Sequence, residues 1–311
     1  MAGHIFRINS FIQSNPKKVQ RQHDMKENLE GKVCLITGAT NGIGEEAAKQ
    51  IGLMGADICF VARNQDKAEE LKSTLKSLTG RDATAIIADL SSQADVKRAA
   101  GEFLALNKPL HILLNNAGIM NTSRQETVDG FEEVFSVNHL AYFSLTLMLM
   151  NKLIESGPGR VVNVASGAHQ FVKDMNFDDL QSEKEYKTMK VYGQSKLANI
   201  LFTRELSKKI EGKGVTVNCL HPGFVNTGIG SNNSPTFSKI LMALARPFSR
   251  KTDQGAETSI YLCTSPEVES TSGEYFYDCK KDKISAAARN KDNAIKLWSV
   301  SSQLTGIDLL D

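Results

Sequence analysis

Tyr192 and Lys196 stand four residues apart in "VYGQSKLAN" (191–199), and no Gly or Pro follows between Lys196 and Leu206. The spacing predicts a helix with both side chains on one face, within reach of each other. A free phenol, with a pKa of roughly 10, is a poor proton-transfer group near neutrality. An ammonium about 5 Å away, at an effective dielectric of about 20, favours phenolate by about 3 kcal/mol. That is roughly two pKa units, enough to bring a tyrosine toward general acid–base work. An amphipathic helix with an exposed lysine would carry the same pair, so its meaning depends on the rest of the chain.

A second stretch with chemical content is "TGATNGIGEEAAKQIG" (37–52), which follows the β-branched run "VCLIT" (33–37) and leads into a helical pattern. Gly38, Gly42 and Gly44 permit a tight turn and close approach of backbone to a pyrophosphate at a helix N-terminus. Thr40, Asn41 and Ile43 complete the turn and are expected on the same ligand. The spacing G-x-x-x-G-x-G differs from the common G-x-G-x-x-G fingerprint, and its position between strand and helix supports a dinucleotide. The next strand ends in "VARNQD", with Arg63 where an NAD site usually offers an acid. A guanidinium suits a 2′-phosphate, which favours NADP(H); Arg63 as a surface residue of an NAD(H) enzyme is the alternative. Asp89, with Leu90 beside it, either accepts a hydrogen bond from the adenine amino group or caps a helix starting near Ser91.

The elements that must position these residues follow from apolar periodicity. The runs "VCLIT", "DICFVA" (57–62), "ATAIIA" (83–88), "LHILLN" (110–115), "RVVNVA" (160–165) and "VTVNCL" (215–220) alternate with charged helical patterns such as "QDKAEELKSTLKSL" (65–78). "EYFYD" (274–278) reads as an edge strand. This predicts an α/β class: a doubly wound (Rossmann) parallel sheet of about seven strands with helices on both faces, in one domain. Residues 1–30 read as an N-terminal extension, and 31–311 as the catalytic domain.

Composition narrows the class further. The 311 residues carry a net charge of +2 and no basic block alternating with aromatics, so nucleic acid is not an expected partner. Five scattered cysteines without C-x-x-C spacing suggest reduced thiols and no metal, in a cytoplasmic compartment. The apolar run "LAYFSLTLMLM" (140–150) is too short to span a bilayer. Residues 1–23 hold Arg7, Lys17, Lys18 and Arg21 and no acid, which fits a solvated extension or an organelle presequence.

Together "TGATNGIG" (37–44), "NNAG" (115–118), Asn138 in "FSVNHLAYF", Ser166 in "VVNVASGAH", "YGQSK" (192–196) and "HPGFVNTG" (221–228) resemble the short-chain dehydrogenase/reductase family, from about Gly31 to Ile307. The C-terminal portion, from "GEYFYDCKKDK" onward, is similar to the retinol dehydrogenase-like branch. The resemblance implies that Tyr192 is the general acid/base, Lys196 its activator and a clamp on the nicotinamide ribose. Ser166 would hold the substrate oxygen, and Asn138 would anchor a water link to Lys196. Asn115, Ala117 and Gly118 would line the cofactor crevice, and Val225 and Thr227, after Pro222 and Gly223, would hold the nicotinamide amide. A homodimer is the family's habit.

The sequence departs from the family at two places. Ser166 and Tyr192 are 26 residues apart, and the intervening "QFVKDMNFDDLQSEKEYKTMK" is expected to form a flap or short helix beside the substrate. His169 and His221 read as structural, Met148 and Met150 as core. Members of the branch that sit on membranes carry an apolar N-terminal anchor, and residues 1–23 show no such run. In "SPTFSKILMALARPF" (234–248), Phe237, Ile240, Leu241 and Leu244 form one helical stripe, expected in a lid near 231–250. The stripe either faces a lipophilic, retinal-sized carbonyl substrate or packs on the domain or a second subunit. Alternatives are a reductase of another bulky substrate (a steroid, quinone or chlorophyll precursor) and a cofactor-binding interaction protein without turnover.

Overall fold

A computed structural model describes residues 28–223 and 251–309 of the chain. Val225, Thr227 and the stripe at 234–248 lie outside these residues, as does most of the N-terminal extension.

The apolar runs become strands β1 (Val33–Thr37), β2 (Asp57–Ala62), β3 (Thr84–Ile87), β4 (Ile112–Asn115), β5 (Gly159–Val164), β6 (Val215–Leu220), β7 (Tyr275–Tyr277) and β8 (Lys280–Lys281). They form one sheet in the order β3-β2-β1-β4-β5-β6-β7-β8, parallel except for the β7–β8 pair. "EYFYD" is therefore not the edge: β7 pairs with β6 on one side and with the exposed Lys280–Lys281 on the other. Two lysines carry no apolar signal, and charge on an edge strand discourages pairing with other chains.

In chain order the longer helices are α1 (Gly42–Leu53), α2 (Gln65–Thr79), α3 (Gln93–Ala105), α4 (Ala141–Ser156), α5 (Thr188–Lys209), α6 (Thr252–Thr264) and α7 (Lys291–Thr305). α1, α2 and α6 close one apolar layer over the sheet, through residues such as Ile51, Leu71 and Ile260. α3, α4 and α5 close the other, through Phe103, Phe143 and Phe202. Strands covered on both faces must be apolar on both, which is why β1 is buried along its whole length. Met150 is buried in the core and Met148 packs against it, as the helical spacing suggests.

α7 lies against α4 and α5, with the Trp298 ring 5.1 Å from Phe143 and 6.0 Å from Phe202. The cysteines are free thiols, and among the described residues no helix is long and apolar enough to cross a membrane. The order of strands reverses between β1 and β4, so the crevice for a ligand opens beyond their carboxyl ends.

Candidate active site

At the end of β1 the chain turns through Gly38 (φ +66°) and Gly42 (φ +59°) into α1. Both take a left-handed conformation that favours glycine. Close packing adds a second demand. A Cβ on Gly38 would lie 2.8 Å from Ala117 Cα, and one on Gly44 would collide with the Gly38 carbonyl oxygen and the Asn116 amide.

Asn116 explains why the turn is so closed. Its Nδ2 donates to the carbonyl oxygens of Thr37 and Gly38, at 3.0 Å each. Thr37 Oγ1 accepts in return from Asn116 N at 2.9 Å and Ala117 N at 3.0 Å. Neither Thr37 nor Asn116 was among the expected site residues, and the signal for Asn116 was the second Asn of "NNAG". Asn115 differs from expectation. It is fully buried, and its Nδ2 donates to Thr146 Oγ1 and Asn163 Oδ1, both at 2.9 Å. Its side chain belongs to the core; Ala117 and Gly118, half-buried, flank the crevice.

The cradle fits a dinucleotide. Asn41 is the exposed N-cap of α1 and makes no side-chain capping bond, so the first N–H groups of α1 have no side-chain partner there. Such a helix start is suited to an anion. Thr40 is half-buried in the turn, and Ile43 is buried. Arg63 is exposed immediately before Asn64, the cap of α2, and among the described residues it has no ion-pair partner. Asp89 does not cap α3: Ser92 does, accepting from Asp95 N, while Asp89 Oδ1 accepts from Ser91 N at 2.9 Å. Leu90 is buried in the core.

Beyond β4 lies the second cluster. Asn138 falls in a π-helical turn, Ser136–Leu140, that leads into α4. A single π turn commonly marks a functional position, since it re-aims the side chains it carries. Asn138 Oδ1 accepts from Ile119 N at 2.8 Å, and its Nδ2 donates to Ile119 O and Ser195 Oγ at 3.0 Å. Ser195 Oγ then donates to the Tyr192 carbonyl oxygen at 2.8 Å. Asn138 is therefore a brace between the Ile119 loop and α5. Gly118 sits between it and Lys196: a Cβ there would lie 3.4 Å from Asn138 Oδ1 and 3.3 Å from Lys196 Nζ.

Tyr192 and Lys196 share a face of α5, as their spacing requires, with Nζ 5.5 Å from the Tyr192 ring centre. Lys196 is buried, and Nζ donates to the Val164 carbonyl oxygen at 3.1 Å. Burial lowers the Lys196 ammonium to about 7 and raises the Tyr192 phenol, while a hydrogen bond with Ser166 pulls the phenol back down. Burial thus adds a second effect to the simplest electrostatic reading. Desolvation weakens the ammonium as well as the phenolate, and the hydrogen bond that favours phenolate here comes from the Ser166 hydroxyl.

Ser166 is the N-cap of a 3-10 turn, Gly167–Phe171, and its Oγ also accepts from Ala168 N at 3.2 Å. His169 supports it from behind: buried, it contacts the Ser166 carbonyl oxygen through Nδ1 at 2.8 Å and accepts from Ser285 N at 3.3 Å. The turn that holds His169 packs on α5, where a Cβ on Gly193 would lie 2.8 Å from Ala168 O, and a second 3-10 turn follows at Phe177–Asp179. Pro222 and Gly223 (φ +78°) follow β6, with Gly223 N donating to His221 Nδ1 at 3.3 Å.

The family profile described as short chain dehydrogenase matches residues 32–237. Retinol dehydrogenase 12 of Mus musculus is 44% identical over 280 residues, covering 90% of this chain and 88% of the relative. Among solved structures, an uncharacterized protein of Mycobacterium paratuberculosis superposes with a TM-score of 0.75 at 27% identity, covering 91% of this chain and 97% of that one. A short chain dehydrogenase of Burkholderia cenocepacia J2315, solved in complex with NADP, has a TM-score of 0.64 at 25% identity, covering 85% and 100%. The chain therefore belongs to the short-chain dehydrogenase/reductase family of oxidoreductases, in its retinol dehydrogenase-like branch.

Proposed function

We propose that the protein is an NADP(H)-dependent oxidoreductase interconverting a lipophilic alcohol and its aldehyde or ketone. The observation that carries this reading is the meeting of Ser166, Tyr192 and Lys196 next to Gly118, in the loop whose Ala117 packs on the glycine-rich turn. A bound nicotinamide supplies or accepts the hydride. The chain's own residues hold the substrate and move the proton.

In the reducing direction the Tyr192 hydroxyl donates its proton to the carbonyl oxygen, which Ser166 Oγ holds by a second hydrogen bond. Two donors aimed at one oxygen stabilise the negative charge that develops there. Lys196, as ammonium, stabilises the phenolate that Tyr192 leaves behind, and a proton returns to Tyr192 from its side of the site. Asn138, with its amide fully engaged, fixes the spacing between the Ile119 loop and α5.

Arg63, exposed and free of ion pairs among the described residues, supports a 2′-phosphate, as does the NADP held by the Burkholderia relative. Support for a lipophilic substrate comes from retinol dehydrogenase 12 and from two exposed apolar side chains. Met189 lies three residues before Tyr192 on α5, and Phe171 ends the 3-10 turn that Ser166 caps; they are 47% and 70% exposed.

A turnover panel of short and long aldehydes and ketones with both cofactors tests the reading. Long apolar carbonyls with NADPH are the expected best pair, and Arg63→Asp is expected to erode the NADPH preference. A charged hydrogen bond of about 1.5–3 kcal/mol corresponds to roughly ten- to a hundredfold. Better use of NADH by the wild type would overturn the cofactor assignment. Turnover confined to small polar carbonyls would overturn the substrate class, and no turnover at all would favour a cofactor-binding protein.

A further inference from the structure

Lys196 does not hold the Val164 carbonyl oxygen alone. Asn199, one turn further along α5, donates to the same oxygen through Nδ2 at 3.3 Å. Asn199 is fully buried, and its Oδ1 has no partner within hydrogen-bonding geometry. The same is true of His139 Nδ1, and the two side chains are neighbours: the His139 ring lies 6.1 Å from the ring of Phe202, one turn beyond Asn199 on α5, and Asn199 works against the effect of burial on the ring. A buried donor and a buried acceptor left over side by side are complementary. On its other side His139 Nε2 lies 2.8 Å from Ser301 Oγ, in the middle of α7. Burial keeps His139 neutral, so one nitrogen carries the proton and the other accepts. With Ser301 Oγ–H donating to Nε2, the proton sits on Nδ1 and points to Asn199.

We infer that Ser301, His139 and Asn199 form a buried relay of positioning residues that fixes Lys196 against the Val164 carbonyl, so that the last helix sets the geometry of the lysine, a role that rests on the oxidoreductase reading of Tyr192 and Lys196. The relay runs from α7 to the π turn, one residue beyond Asn138, then to α5 and the end of β5. The ring packs among Phe135, Phe143 and Phe202, which leaves it little freedom to turn. Two titratable side chains face Lys196, Tyr192 and Tyr142, whose ring centres lie 5.5 and 5.9 Å from Nζ. Tyr142 is spoken for, donating to Ala117 O at 2.7 Å.

Replacing His139 by Phe keeps the aromatic packing and removes the donor. With no donor left on its His139 side, Asn199 Oδ1 then turns toward the ammonium that shares its acceptor. The expected result is a Lys196 that titrates higher than its value of about 7 and leaves Val164. The test follows the ε-carbon of Lys196 by NMR against pH in ligand-free, full-length protein, assigned by its loss in Lys196→Met. His139→Phe is expected to raise the midpoint and to lower kcat on the order of ten- to a hundredfold. His139→Gln, which can still donate and accept, is expected to restore both, and Ser301→Ala to give a smaller shift in the same direction.

A folded His139→Phe with the wild-type midpoint, or a Gln variant no better than Phe, would overturn the relay. If His139→Phe does not fold, Ser301→Ala decides alone: a raised midpoint supports the relay, and an unchanged one refutes it. If the wild type turns over no carbonyl, the oxidoreductase reading fails while the titration still decides the relay.

Discussion

Two buried polar networks meet at strand β5, and they are built from the same kinds of residue. The first links Asn115 to Thr146 and Asn163, and Asn163 to Thr203, through hydrogen bonds of 2.9 Å. The second links Ile119 to Asn138, Ser195 and the Tyr192 backbone, and Lys196 with Asn199 to Val164. Every group in the first is neutral, so it sets the distances between β4, β5, α4 and α5 and holds no charge to move. In the second, a titratable ammonium shares one acceptor with an amide, beside a phenol. The difference lies in where a proton can go, since amides and hydroxyls of the same kind serve both.

The largest effect expected from this contrast is at Tyr192. Tyr192→Phe removes only proton donation, so turnover should fall by roughly 10²–10⁴-fold while NADPH affinity, followed by calorimetry, stays near wild type. Retention of more than about a tenth of the rate would mean that another group supplies the proton, and the second network would lose its claim to the chemistry.

His139 gives a pH signature of the second network. Burial takes it from its ordinary 6.5 to about 4. Between those values the unfolded chain binds more protons than the folded one, so stability falls as pH falls, by about 3 kcal/mol for this group once pH nears 4. Burial lowers His111 and His169 as well, with the same sign, but those contributions persist when His139 is replaced. Urea unfolding from pH 7 to 4 should show a shallower loss in His139→Phe than in wild type. Equal slopes would mean that His139 is not held neutral.

The smallest effect belongs to the first network. Thr146→Val, nearly isosteric, leaves an Asn115 N–H buried without its acceptor and should cost about 1–3 kcal/mol of stability. The pH profile of turnover should be unchanged. A profile that moved would erase the distinction between the two networks.

Much of this was legible in the sequence, for reasons that differ by residue. The strands were readable because burial on both faces makes them continuously apolar, as in β1, β2 and β6. Tyr192, Lys196 and the glycine turn were readable because local geometry demands those residue types at those spacings. The inward turn of the Asn115 side chain was not legible because alternate strand residues face opposite ways, and nothing in "NNAG" says which asparagine turns inward. The desolvation of Lys196 was not legible, because it depends on what packs around the ammonium, and that comes from β5 and the π turn. His139, Asn199 and Ser301 carry no local motif. Their relation exists only once α7 docks, 162 residues after His139.

That docking also has an optical consequence. The chain holds a single tryptophan, and it is Trp298 on α7. Its indole is 6% exposed, lies edge-on to Phe143, sits 4.8 Å from the Lys209 ammonium, and donates to Asp308 at 2.9 Å. Intrinsic fluorescence excited at the indole band therefore has one source, placed at the seam between the last helix and α5. A red-shifted emission in any variant reads directly as α7 lifting from the helix that carries Tyr192 and Lys196, without a label or an added dye.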